Sequence, residues 1–317
     1  MDHRILTSNR TYEVTRFKGR TKTEREGKWL AHRNDGVGGS DMAAIMGLSP
    51  YKSPYALWLE RTGRSDPEDL SGKWAIQRGN VLEGELRKRF RREHPELTVV
   101  GGTDMSLRSV AHPCMQASLD GYIWDPASKS YGVLEIKTAN AYRAKDWQAD
   151  DGSLHAPAYY LAQVTHYMAV TGWTWGVFYA DLGSGEPVEV RFERDEQDVA
   201  AVIKAAEEFW GYVQRDEPPE LTGSDVDDVY PQDDGQIEQT DDEVFRRACD
   251  EYLSRSKELS KAKTARDEVA ATIKTLIGEH QGLCNDMYKA TYKTSHHAQT
   301  VRKAYDSRTL RITTINQ

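Results

Sequence analysis

Cysteine is scarce in this sequence: Cys114, Cys249 and Cys284 are three scattered residues with no Cys-x-x-Cys pair. That spacing excludes a disulfide framework and a cysteine-ligated zinc or iron–sulfur site. Long apolar runs are missing too, none approaching the roughly 20 residues of a membrane span. The N-terminal "MDHRILTSNRTYEVTRFKGR" has positive charge but no apolar stretch after it, so no secretory signal is expected. These readings lead us to expect a cytoplasmic protein, in the cytoplasm of a bacterial host. Histidines offer no metal pattern: His155 and His166 stand apart, and the adjacent His296 and His297 lack a His-x3-His partner. We read that pair as surface.

The 317 residues suffice for about two domains, and eight Trp and sixteen Tyr supply material for a core. A net charge of −8 speaks at first against a nucleic-acid partner. The charge is unevenly spread, however. Residues 216–245 hold twelve Asp/Glu and no Lys/Arg, so the rest of the chain carries +4. Residues 1–40 have nine basic side chains against five acidic, and 286–317 six against two. The acidity describes a linker, and DNA or RNA stays open as a partner.

Along the chain, residues 1–28 are polar and read as a loose arm. "SDMAAIMG" predicts a short helix with Ser40 as its N-cap, and "SPYALWLERTG" one capped by Ser53 with Pro54 in its first turn. A longer helix is expected over about 73–93, then strands near 97–101, 105–110, 116–124 and 131–138. "PAYYLAQVTHYMAVTG" predicts a helix closing at Gly172, followed by two strands and a helix over 195–215. This order suggests a mixed sheet flanked by helices. Residues 216–239 read as a linker. Thr240 and Glu243 fit a capping box opening a long helix to about 279, with heptad-spaced apolar residues interrupted by Arg255 and Arg266. "DMYKATYKTS" and "TLRITTI" suggest a small terminal hairpin. Tyr288, Tyr292 and Tyr305, interleaved with basic charge there, suit a nucleic-acid strand as well as a solvated hairpin.

The chemistry concentrates in "SLDGYIWDPASKSYGVLEIKTAN", residues 118–140. Strand alternation puts Glu135 and Lys137 on one face and Leu134 and Ile136 on the other. Two carboxylates suit Mg²⁺, which takes one or two of them plus water and substrate phosphate. A lysine on the same face can hold a water or offset charge developing on a phosphate. As a bare pattern Asp–x14–Glu–x–Lys is weak, because a surface hairpin with a solvated pair would show it too.

Five blocks in order carry a resemblance: "RNDGVGGSDMAAIMGLSPYKSPYALW", "RGNVLEGEL", "ASLDGYIW", "LEIKTA" and "YYLAQVTHYMAVTG". From about Trp29 to Gly211 the chain resembles the YqaJ-type viral recombinases, relatives of bacteriophage lambda exonuclease within the PD-(D/E)XK nuclease superfamily. The resemblance implies an α/β (α+β) fold: a restriction-endonuclease-like core over 29–215, a linker over 216–239, and a C-terminal helix and hairpin over 240–317. It implies Asp120 and Glu135 as metal ligands, with the Ile136 carbonyl and an acid of the "RGNVLEGE" helix, Glu83 ahead of its rival Glu85. Lys137 would position the nucleophilic water. Gln163 and Tyr160 would touch the scissile phosphate or the water, although Tyr160 also suits the core. Arg33, Ser40 and Ser118 would bind a terminal 5′-phosphate, the "GVGGSD" turn being a natural phosphate seat. Leu119 stands where the superfamily name has proline. The implied activity is a Mg²⁺-dependent (Mn²⁺ substituting) 5′→3′ exonuclease on double-stranded DNA ends. It would leave 3′ overhangs for recombination, as a homo-oligomer such as a ring trimer, working with a phage single-strand annealing protein. The alternative is an inactive or structure-selective DNA-binding or endonuclease protein of the same fold.

Overall fold

The computed structural model describes residues 3–149, 151–183 and 185–295. It divides into two compact units, Met1–Val226 and Asp227–Gln317. The His296–His297 pair, Tyr305 and "TLRITTI" lie outside the described residues.

The first unit opens with β1 (Tyr12–Arg16) and α1 (Lys22–Arg33), then β2 (Val37–Gly38), a 3-10 turn (Gly39–Asp41) and α2 (Met42–Ile45). Helices α3 (Pro54–Arg61) and α4 (Trp74–Glu93) precede β3 (Thr98–Gly101), β4 (Met105–Ser109), β5 (Met115–Ala117), β6 (Gly121–Asp125) and β7 (Ser130–Thr138). A 3-10 segment (Ala141–Trp147), α5 (Ala158–Thr171), β8 (Trp175–Asp181), β9 (Val188–Glu193), α6 (Glu196–Arg215) and α7 (Gly223–Val229) follow. The second unit holds α8 (Glu243–Ile277) and a hairpin of β10 (Gly282–Cys284) with β11 (Lys289–Thr291). Among the described residues no helix is long and apolar enough to cross a membrane.

The expected mixed sheet flanked by helices is present as a five-stranded sheet, β3-β6-β7-β8-β9, parallel only between β7 and β8. A second sheet, β1-β4-β5-β2, was not foreseen. Strand β7 shows the period of two read from its sequence. Leu134 and Ile136 join Leu86 and Phe90 of α4 in one apolar cluster, while Val133 belongs to the cluster that also holds Val164 and Met168 of α5. Helix α5 touches both sheets as well as α2 and α6. Its residues Val164 to Met168 are all buried, as befits a helix with layers on every side. It ends at Gly172 in the left-handed conformation (φ 71°), which glycine adopts without steric cost.

Several expectations need correction. The described part of residues 1–28, from His3 on, is not a loose arm: β1 pairs antiparallel with β4, and Leu6, Tyr12 and Phe17 are buried. Those three residues anchor a stretch whose overall polarity hides them. The single strand expected over 116–124 is two strands in different sheets, with Ser118-Leu119-Asp120 crossing between them. Ser40 is not a helix N-cap, because it sits inside the 3-10 turn and the four-residue α2 starts after Asp41. The Asp41 carboxylate accepts from the Gly38 N–H instead, at 2.9 Å. Residues 216–239 include α7, whose buried Asp225 accepts from the Ser53 hydroxyl and from the Thr222 amide (2.7 Å). The α8 N-cap is Asp242 rather than Thr240, since the Asp242 carboxylate takes the Val244 N–H at 2.7 Å. The segment "DMYKATYKTS" pairs with "GLC" (282–284).

Asp225 ties α7 to the N-cap of α3, so the first unit needs α7. We expect a chain ending at residue 230 to unfold cooperatively near the full-length midpoint. Ser53→Ala should cost that chain about 1–2 kcal/mol through the lost cap, read by urea denaturation with unchanged m-value. A residue 1–230 chain without a cooperative transition would contradict this division.

Candidate active site

Glu135 is the most deeply buried acid of the site, 1% exposed in mid-β7. Its Oε1 accepts from the Lys137 ammonium at 2.7 Å and from the Gln163 amide nitrogen at 2.6 Å. Its Oε2 is buried with no hydrogen-bond partner. Burial raises the Glu135 pKa, and Lys137 opposes that rise. Lys137 is disfavoured as a cation by burial, yet Glu135 and Asp120 outweigh this and raise its pKa. Its ammonium also donates to Gln163 Oε1 at 2.9 Å and lies 4.5 Å from the centroid of the Tyr160 ring. Two of its three donors are thereby engaged, leaving one for a further acceptor. Tyr160 and Gln163, three apart on α5, present one face to it, as helical spacing predicts. Tyr160 also packs against the core, so its two readings coexist.

Asp120 reaches this pair because β6 stops short. Strand β6 begins at Gly121, opposite Leu134, so β7 runs on past it with a bare edge. The Asp120 Oδ2 takes the Ile136 N–H there at 2.9 Å. A strand residue sends its N–H and C=O to the same edge, so the Ile136 carbonyl opens on the Asp120 side. The Asp120 backbone carbonyl is held by the Arg87 guanidinium (2.8 Å) and the Gly102 N–H (3.2 Å). Burial, then the neighbouring Glu135, push the Asp120 pKa well up.

Glu83 lies on α4 near both acids, raising the pKa of each, but its carboxylate is paired with Arg87 at 2.8 Å. Glu85 faces outward to Lys88. Among the described residues no three Asp, Glu, His or Cys side chains converge as a ready metal cage. The donor set is instead two carboxylates, one with an unpartnered oxygen, beside a strand carbonyl. Mg²⁺ keeps several waters and takes few protein ligands, so this set fits it. A fully protein-ligated structural metal would not fit.

Arg33 and Ser40 meet: the guanidinium donates to Ser40 Oγ at 2.6 Å and to the Asp41 carboxylate at 3.3 Å. Asp41 is buried, and burial would raise its pKa, but Arg61 (2.6 Å) and Arg33 lower it overall. Arg33 also lies over the Trp29 ring, 5.3 Å to the centroid, and Trp29 Nε1 donates to Ser118 Oγ at 3.0 Å. Trp29, Ser118, Asp120 and Glu83 line a groove of about 490 Å³, with Lys22 and Arg25 at its side. The three candidate anchor residues are therefore linked through Trp29 to the acids.

His166, by contrast, bonds to a backbone carbonyl. It is fully buried, its Nε2 lies 2.9 Å from the Gln116 carbonyl, and burial lowers its pKa to about 4. Five residues of this neighbourhood were not read from the sequence as part of the site: Trp29, Asp41, Arg61, Arg87 and Tyr167. Tyr167 and Arg87 had a signal, the first in its spacing of four from Gln163 on α5, the second in its spacing of four from Glu83 on α4.

The YqaJ-like viral recombinase domain profile matches residues 28–174, a span that includes Arg33, Ser40, Glu83, Asp120, Glu135, Lys137 and Gln163. The uncharacterized protein YqaJ of Bacillus subtilis (strain 168) is 31% identical over 228 residues, 71% of this chain and 67% of that protein. Protein D345L of African swine fever virus (isolate Tick/South Africa/Pretoriuskop Pr4/1996) is 31% identical over 120 residues, 36% of this chain and 33% of that one. Among solved structures, LHK-Exo in complex with dAMP covers 60% of this chain and 93% of its own at 23% identity and a TM-score of 0.48. LHK-Exo is described as an alkaline exonuclease from Laribacter hongkongensis. A phage related exonuclease from Haemophilus somnus 129PT covers 57% of this chain and 96% of its own, at 16% identity and a TM-score of 0.37. With the profile lying over the acids, the lysine and the arginine turn, and the Bacillus similarity running through two thirds of that protein, this chain belongs to the YqaJ-like viral recombinase family.

Proposed function

We propose that the chain is a Mg²⁺-dependent deoxyribonuclease that digests linear double-stranded DNA 5′→3′ from its ends, leaving 3′ single strands for recombination. The observation that carries this reading is the unpartnered Glu135 Oε2 beside Asp120, with the Lys137 ammonium already bound to the other oxygen. Two like charges beside one lysine form a site short of positive charge. When bound there, Mg²⁺ (or Mn²⁺) supplies charge that offsets what develops on a phosphate under attack. Asp120, Glu135 and the Ile136 carbonyl would hold it, with Glu83 near enough to act through water. Lys137 keeps one donor for the attacking water, and Gln163 and Tyr160 hold that ammonium in place. The water oxygen bonds to phosphorus, the bond to the 3′ oxygen breaks, and that oxygen takes up a proton. The product is a 5′-nucleotide, and the new end again carries a 5′-phosphate. Each cycle thus regenerates the group that Arg33, Ser40 and Ser118 would bind, which supports digestion from an end. A homo-oligomer such as a ring of three, and a single-strand annealing protein, complete the reading.

Linear 5′-phosphorylated duplex should disappear with Mg²⁺ and persist with EDTA, while closed circular DNA survives both. Glu135→Gln should abolish cleavage and leave DNA binding. Lys137→Ala should lose orders of magnitude in rate and, in EDTA, about 3–5 kcal/mol of stability, because Glu135 then loses its buried counter-charge. Cutting of closed circles at the linear rate would move the reading to an endonuclease.

Stability against pH tests the metal site without any turnover. Asp120 and Glu135 have raised pKa values, so the folded metal-free protein holds their protons more tightly than the unfolded chain. That contribution is full below the ordinary carboxylate range and is lost as pH rises through the raised values. Asp120→Asn removes one of these groups and should melt above wild type in EDTA at neutral pH, the gap closing in acid. Mg²⁺ at 100 times its dissociation constant should add about 2.7 kcal/mol to wild type and little to Asp120→Asn. Equal Mg²⁺ stabilisation of both proteins would count against the site.

If Arg33 and Ser40 hold the terminal phosphate, a 5′-hydroxyl duplex should be degraded several-fold more slowly than a 5′-phosphate one. Arg33→Ala should remove that preference. Equal wild-type rates on both ends would refute the anchor and leave the nuclease standing.

A further inference from the structure

Tyr167 belongs to none of the roles above. It is 4% exposed on α5, one turn beyond Gln163, and its hydroxyl accepts from Gln163 Nε2 at 2.8 Å. The other hydrogen of that amide goes to Glu135 Oε1 at 2.6 Å, and the amide oxygen faces the Lys137 ammonium at 2.9 Å. Every polar atom of the Gln163 side chain is therefore committed. Rotating the amide by half a turn would set its oxygen against the Glu135 carboxylate and its nitrogen against the ammonium, both unfavourable. On its other side the Tyr167 ring lies against Gly39. A Cβ there would overlap the ring and come within 3.0 Å of the Gln163 carbonyl. Gly39 opens the 3-10 turn that carries Ser40 and Asp41, both bonded to Arg33.

We propose that Tyr167 is a positioning residue: its hydroxyl fixes the Gln163 amide that aligns Lys137, and its ring seats the turn that carries the Arg33 contacts. The inference rests on the nuclease reading and gives that site a mechanical link between its end-anchor and its water-holding lysine. If Tyr167 were core filling alone, phenylalanine would replace it at no cost in rate, since it keeps the ring.

The test uses full-length Tyr167→Phe on 5′-phosphorylated linear duplex with Mg²⁺. The expected result is a kcat about tenfold lower, the scale of one lost hydrogen bond, with KM and Mg²⁺ affinity by calorimetry within about twofold of wild type. In protein labelled with ¹⁵N-glutamine, the Gln163 side-chain amide pair is assigned by its absence in Gln163→Leu. In wild type its protons should exchange slowly, and in Tyr167→Phe one of them should exchange fast. Gly39→Ala, which keeps the hydroxyl and displaces the ring, should lower kcat and weaken the preference for a 5′-phosphate together. A wild-type kcat in Tyr167→Phe, or a fast-exchanging Gln163 amide in wild type, would overturn the assignment. If wild type cuts no duplex, the nuclease reading falls, while the amide resonances still decide whether Tyr167 holds Gln163.

Discussion

A carboxylate and an ammonium buried together on one strand, Glu135 and Lys137 at 2.7 Å, are the constraint around which the first unit is arranged. Such a pair is costly to desolvate and is tolerated only when its remaining donors and acceptors find partners. Here Gln163 bonds both members, Tyr160 places its ring beside the ammonium, and Asp120 ties itself to the next backbone N–H. One acceptor, Glu135 Oε2, is left over. An arrangement that leaves that buried oxygen open, next to a second acid, is better suited to receiving a cation than to holding the fold together.

The architecture supplies what this arrangement needs. Strand β7 is covered by α4 on its even-numbered face and by α5 on its odd-numbered face, so both charged residues sit under α5. The late start of β6 at Gly121 leaves the edge that Asp120 fills. The shift of the chain from one sheet to the other at Ser118–Asp120 places Ser118 beside Trp29, and through it beside Arg33. The two sheets, which separate propensity arguments treat as one, thus meet at the residues with chemistry.

What could be read from the sequence follows the range of the physics involved. Alternation along β7 and helical spacing along α5 are local, so the faces of Glu135, Lys137, Tyr160 and Gln163 could be read directly. The Asp120 break could not, because an apolar run of "MQASLDGYIW" has the same propensity whether it forms one strand or two. Asp41 and Arg61 are twenty residues apart and pair through the tertiary fold, which no window along the chain contains. The N-terminal segment was misread because a few buried side chains, not its average polarity, decide that it packs. The family resemblance named the acids and the lysine and put Glu83 ahead of Glu85. Glu85 pairs outward with Lys88, and Glu83 lines the groove.

The central claim is that Asp120 and Glu135 form a divalent-cation seat completed by the Ile136 carbonyl. Crystals soaked in Mn²⁺ and measured at its absorption edge test this most directly. The account predicts an anomalous peak beside the Asp120 and Glu135 carboxylates, absent in Asp120→Asn crystals. A wild-type crystal saturated with Mn²⁺ and showing no peak between these two carboxylates would contradict it.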